Sequence, residues 1–131
     1  MKIKCTATLR KDLSQKTQDV YLITQDFELP IGKIFTVYAI SIWDSVLHYL
    51  IVAVNEPKPD WYPADLFTIE DNILPKETYH KYFGAKDRRG VHALWGYKEM
   101  VIDDQHYVDL IEREDKAVEI FLKRKKEIDK M

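Results

Sequence analysis

Cys5 is the only cysteine in the chain. No intrachain disulfide can form, which predicts a reducing compartment and a fold that rests on packing. Glycine and proline number only four and five, too few for a low-complexity or disordered segment. Charge of one sign is also missing. The 20 basic and 22 acidic residues leave a formal net charge of −2, so no global field gathers nucleic acid or an anionic membrane. The most apolar stretch, "YLIVAV" at 49–54, is far shorter than the ~20 residues of a membrane-spanning helix. The opening "MKIKCTATLRKDLSQK" has no apolar h-region, which predicts no signal peptide. The expected address is the cytoplasm, with no membrane partner.

Catalytic signatures are absent as well. There is no G-x-G-x-x-G, P-loop, H-E-x-x-H, G-x-S-x-G or C-x-x-C. "IGKIF" at 31–35 offers Gly-Lys without the rest of a phosphate loop. No cofactor is expected, and no catalytic residue stands out.

What is present fits one domain spanning residues 1–131, long enough to bury its own core. Ile3, Cys5, Ala7 and Leu9 alternate with polar residues, which predicts a half-buried strand over 2–9 with a Lys-rich face suited to a sheet edge. Cys5 is then a small core hydrophobe. Strand types dominate "DVYLITQDFELPIGKIFTVYAISIW", with Pro30 and Gly32 as punctuation. Asp44-Ser45 reads as the turn of a hairpin returning through "VLHYLIVAV". "NEPKPD" reads as a loop, "LFTIED" as a short strand, "PKETYHKYF" as a helical turn opened by Pro75, and "GAKDRRG" as a polar loop. "VHALWGYKEMVI" reads as a strand with Gly96 at a bulge or close approach.

From Asp103-Asp104 onward, Tyr107, Leu110, Ile111, Ala117, Val118, Phe121 and Ile128 form one stripe of period 3.6. This predicts a helix over about 104–127, capped by Asp103 or Asp104. Glu112–Lys116 and Glu119–Lys123 would be i,i+4 pairs along it. The basic "KRKKEIDKM" at its end suits the helix dipole. A β-rich part over 1–101 followed by one long helix is an α+β chain: a small antiparallel sheet or barrel with the helix packed against it.

Three groups of side chains are candidates for chemistry. His80 and His92 flank the "GAKDRRG" loop and with Asp71 could form a metal or acid–base site. His48, inside an apolar strand, reads as a sheet-face residue bonded to backbone or water, and His106 as a surface partner of Asp103 and Asp104. The carboxylates Asp60, Asp65, Glu70 and Asp71 could divide acid and base roles. The turn chemistry of Asp65 and of Asp71-Asn72 is the stronger reading of them. Lys86, Arg88 and Arg89, between aromatic stretches, could hold single-stranded nucleic acid. Fourteen of the sixteen aromatic residues fall between positions 21 and 97, more than a small sheet easily buries. Trp and Tyr favour interaction surfaces, so this region is expected to carry a binding face.

"LPIGKIFTVYAISI", "LHYLIV", "WYPADLFTIED" and "ILP", within residues 27–75, resemble small SH3-like barrels of bacterial proteins, some of toxin-immunity type. The resemblance implies an SH3-like barrel to which the C-terminal helix is an addition. It also implies a non-catalytic role, binding and blocking a cognate toxin. The expected contact residues are Trp61, Tyr62, Asp65, Asp71 and Trp95. The alternatives are a small metal-dependent hydrolase using His80, His92 and the Asp71 region, and an RNA-binding small barrel using Lys86, Arg88 and Arg89; nucleic acid is the less expected partner.

Overall fold

The computed structural model describes residues 1–21, 26–53 and 58–131. The strand material expected at 22–25 and the loop at 55–57 lie outside the described residues. The chain is α+β. Among the described residues eight strands follow in order: β1 Lys2–Cys5, β2 Ile34–Thr36, β3 Ala39–Trp43, β4 Val46–Val52, β5 Pro59–Pro63, β6 Phe67–Asp71, β7 Tyr79–Tyr82 and β8 Val91–Gly96. Four helices accompany them: α1 Gln15–Val20, α2 Lys98–Ile102, α3 Asp104–Ile111 and α4 Asp115–Asp129.

The strands form two antiparallel sheets. One has the order β2-β1-β6, the other β5-β4-β3-β8-β7. No closed sheet joins them among the described residues. The strand types predicted for 33–43 are interrupted at Val37-Tyr38, where the chain leaves the small sheet and enters the large one. β1 lies in the middle of its sheet and not at an edge. Its lysines face outward, while Ile3 and Cys5 are buried. The strand expected to reach residue 9 stops at Cys5, because the Thr6 and Ala7 N–H groups both turn to donate to the Leu66 carbonyl.

Period-two alternation gives the large sheet two different faces. Leu66, Ile3, Phe35 and Val37 of the small-sheet side pack with Tyr49 and Ile51 from one face. Leu50 and Leu94, from the opposite face, pack with Met100, Val101, Tyr107, Leu110, Val118 and Phe121 from the helices. The molecule is therefore layered: small sheet, large sheet, helices. Gly96 pairs with Ala39 across β8 and β3 of the large sheet. A Cβ there would sit 2.9 Å from the Ala39 Cβ, so the close approach expected of it is present.

Several expected elements take another form. The helical turn expected from Pro75 is β7, paired from Tyr79↔Gly96 to Tyr82↔Ala93. Sheet pairing overrides the weak local helical signal. The strand expected through 102 ends at Gly96, and Lys98–Ile102 is helical. The single helix expected over 104–127 is two helices, α3 and α4. The Glu114 N–H donates to the Asp109 carbonyl and the Arg113 N–H to the Leu110 carbonyl. Arg113 has φ 62. That pattern is a Schellman stop, with Arg at the position glycine usually takes. It puts Glu112 and Lys116 on different elements, so their expected pairing along one helix does not apply. Asp103 does cap α3, accepting from the Gln105 N–H at 3.1 Å.

Candidate functional site: an aromatic cleft on the large sheet

The helices cover only part of the large sheet's outer face. Where that face carries Ser41, Trp43 and His48, cover is partial and a cleft of about 440 Å³ remains. Register explains who lines it. Ser41 lies opposite His48 across β3 and β4, and Trp61 lies opposite Leu50 across β4 and β5. All four share one face. Tyr21, from the end of α1, and Tyr107, Val108, Ile111 and Glu112, from α3 and its C-cap, complete the walls with Asp60 and Arg89.

Each wall is fixed by its neighbours. The Trp43 indole N–H donates to the Arg89 carbonyl at 3.0 Å, and its ring meets His48 edge-on at 5.8 Å. Gly90, at φ 78, lets the loop reach that tryptophan. A Cβ at Gly90 would meet Asp44 Oδ1 at 2.9 Å and Trp43 Nε1 at 3.0 Å. Trp61 packs against Tyr107 with ring centroids 5.8 Å apart. The Arg89 guanidinium lies over the rings of Phe83 at 4.6 Å and Tyr107 at 5.6 Å, a cation–π arrangement. Asp87 holds it with Nε 3.2 Å from Oδ2. Burial pushes the Asp87 carboxyl up, but Arg89 and the N–H groups of Arg89 and Val91 outweigh it, and its pKa lies below the ordinary value.

His48 is 2 % exposed. Its Nδ1 lies 2.9 Å from the Val46 carbonyl and its Nε2 lies 2.8 Å from the Tyr21 hydroxyl. A carbonyl only accepts, so Nδ1 carries the proton. Burial lowers the His48 pKa, which keeps the ring neutral. Nε2 is then the acceptor and Tyr21 donates. With both ring nitrogens engaged, His48 cannot act as a base toward Ser41. Ser41 is 1 % exposed, and its Oγ finds no hydrogen-bond partner among the described residues. The cleft can hold and orient a ligand, and among the described residues it presents no activated nucleophile.

The candidate residues fall in different places. Trp61 lines the cleft. Tyr62, its neighbour on β5, points to the opposite face, packs on the inter-sheet core and lies 6.2 Å from the Phe27 ring. Asp65 accepts from the Ser14 N–H at 2.8 Å and the Thr17 hydroxyl at 3.1 Å, tying α1 to the turn before β6. Asp71 accepts from the Ile73 N–H at 3.0 Å, the expected Asx turn. Trp95 stacks on His80 at 4.7 Å and lines a separate hollow of about 180 Å³ beside α4.

His80 pairs with Trp95, whereas the Phe83 N–H donates to the His92 carbonyl. The odd offset between 80 and 83 puts the two histidines on opposite faces, and Asp71 belongs to the other sheet. Among the described residues no group of three His, Cys, Asp or Glu could hold a metal ion. His106 is not a surface partner of Asp103 and Asp104. It is 2 % exposed and lies 2.7 Å from the Tyr97 hydroxyl. Of the basic loop, Lys86 and Arg88 are exposed, while Arg89 is tied to Asp87.

Trp43, Tyr107 and Ser41 did not stand out in the sequence as site residues. Period two links Ser41, Trp43 and His48, but which face the helices leave open depends on where α3 ends. Among the described residues no helix is long and apolar enough to cross a membrane. A search with the chain finds no matching protein family, no similar curated protein and no similar solved structure.

Proposed function

We propose that the chain is a non-catalytic binding module and that the aromatic cleft is its contact surface. One observation carries this reading: rings of Trp43, Trp61 and Tyr107 wall a concave site whose only histidine has both nitrogens engaged. A site of this kind, mostly apolar with a few polar groups, is built for holding a ligand. A protein partner fits it by inserting one aromatic side chain, with Asp60, Glu112 and Arg89 at the rim setting register. The resemblance of residues 27–75 to small SH3-like barrels of immunity type supports a cognate toxin as that partner.

The cleft is tested by titrating isotopically labelled protein with phenyl, naphthyl and indole fragments. The indole N–H signals of Trp43 and Trp61 should shift together and saturate, while that of Trp95 stays in place. If Trp43 and Trp61 do not respond to any fragment, the cleft is not the contact surface. The toxin form is tested on the product of an adjacent reading frame. Trp61→Ala or the rim variant Glu112→Arg should weaken its binding by about tenfold or more, as expected for a central aromatic anchor or a rim charge. Unchanged affinity in both variants overturns it.

A further inference from the structure

Taking the cleft as the contact surface, the geometry points to the group it accepts: a neutral, planar heteroaromatic ring whose edge carries one polar atom, read by Ser41. Two observations and the charge of the lining select this class. The walls are rings, and rings pack best against rings in offset or edge-on contact. One polar group of the site, the Ser41 hydroxyl, is buried and has no partner among the described residues. A buried hydroxyl left unpaired is unfavourable, and a ligand atom that bonds it removes that penalty. A purely hydrocarbon ring would leave it in place.

Charge decides the rest. A cationic ligand would need the Tyr107 ring face, but the Arg89 guanidinium already lies over it at 5.6 Å and would repel a second cation. An anionic ligand would meet Glu112 at the cleft, and the nearby cations among the described residues, Arg89 and Arg113, are already paired, with Asp87 and Asp60. Neither sign is favoured, which leaves a neutral ring. Indole is the simplest such group. Its N–H would donate to Ser41 Oγ while its faces lie among the rings of Trp43, Trp61 and Tyr107. The same chemistry is offered by a tryptophan side chain on a partner or by a free indole-type metabolite.

The experiment compares indole with 1-methylindole, naphthalene, tryptamine and indole-3-acetate on the wild-type protein, following the Trp43 and Trp61 signals. Indole should bind more tightly than 1-methylindole and naphthalene by about threefold to tenfold, the worth of one hydrogen bond. Tryptamine and indole-3-acetate should gain nothing over indole. Ser41→Ala should bring indole and 1-methylindole to equal affinity. If indole and naphthalene bind equally to the wild type, Ser41 does not read the ligand; the inference falls while the cleft reading stands. Tighter binding of either charged probe overturns the neutral class. If no probe moves Trp43 or Trp61, both readings fall. The wild-type comparison needs no variant to fold. An N-acetylated tryptophan amide that binds as well as indole, with the same Ser41 dependence, would identify a protein-borne ring as an acceptable source; its failure beside a binding indole restricts the site to free ligands.

Discussion

Ser41 and His48 lie opposite each other across one strand pair and solve burial in opposite ways. His48 satisfies both nitrogens, with Val46 and Tyr21, whereas the Ser41 hydroxyl satisfies nothing among the described residues. A core selected only for stability would place alanine at position 41. Ser41→Ala removes a desolvated hydroxyl and leaves no hydrogen bond broken, so it should leave stability unchanged or raise it by about 1 kcal/mol. Denaturant titration checks this. A loss of more than about 1 kcal/mol would mean that the hydroxyl is bonded in solution, to water or to the chain, and that its readiness for a ligand is lower than the geometry suggests.

At the scale of elements, the hairpin between β3 and β4 turns on two residues with positive φ, Asp44 at 48° and Ser45 at 66°. That is the conformation of the tight hairpin turn whose twist matches its strands, and it favours glycine. Ser45→Gly should stabilise the protein by about 0.5–1 kcal/mol, relief of left-handed strain less the added freedom of the unfolded chain. A midpoint shift in chemical denaturation measures it, and a decrease would show that the Ser45 side chain makes a compensating contact. This turn was legible because Asp44-Ser45 sits between two strongly β-type runs. The end of α3 was not. Apolar residues keep their helical spacing across 112–114, so the stripe reads as continuous, and the stop is made by backbone bonds around Arg113 with no glycine to announce it. Trp61-Tyr62 shows the same limit. Adjacency in sequence suggested one aromatic pair, but β5 sends the two rings to opposite faces, and only the strand's register tells which ring meets the cleft.

For the molecule as a whole, two buried Tyr–His contacts tie the outer layers to the large sheet. Tyr21 at the end of α1 meets His48 on β4, 2.8 Å apart, and Tyr97 after β8 meets His106 on α3, 2.7 Å apart. Burial lowers the pKa of both histidines below the ordinary 6.5, against the smaller opposing effects of the Val46 carbonyl on His48 and of nearby carboxylates on both. The unfolded chain therefore takes up protons near pH 6.5 that the native state refuses. Stability from these two groups is complete above about 6.5 and declines as the pH falls toward their native values. Each histidine contributes a slope of up to about 1.4 kcal/mol per pH unit in that window. Glu99 acts in a different range. The Arg124 guanidinium, 2.7 Å away, lowers its pKa to about 2 from 4.5, so its contribution holds above 4.5 and fades only below it. The interval from about 6.5 down to 4.5 thus isolates the histidines. Unfolding free energies measured across it should fall with pH, and His106→Gln, in which the amide can still meet the Tyr97 hydroxyl, should flatten the slope. A wild-type profile that is flat between 6.5 and 4.5 would mean that both rings take up protons in the native state as they do in the unfolded chain, so that His48 on the cleft's floor carries a charge there.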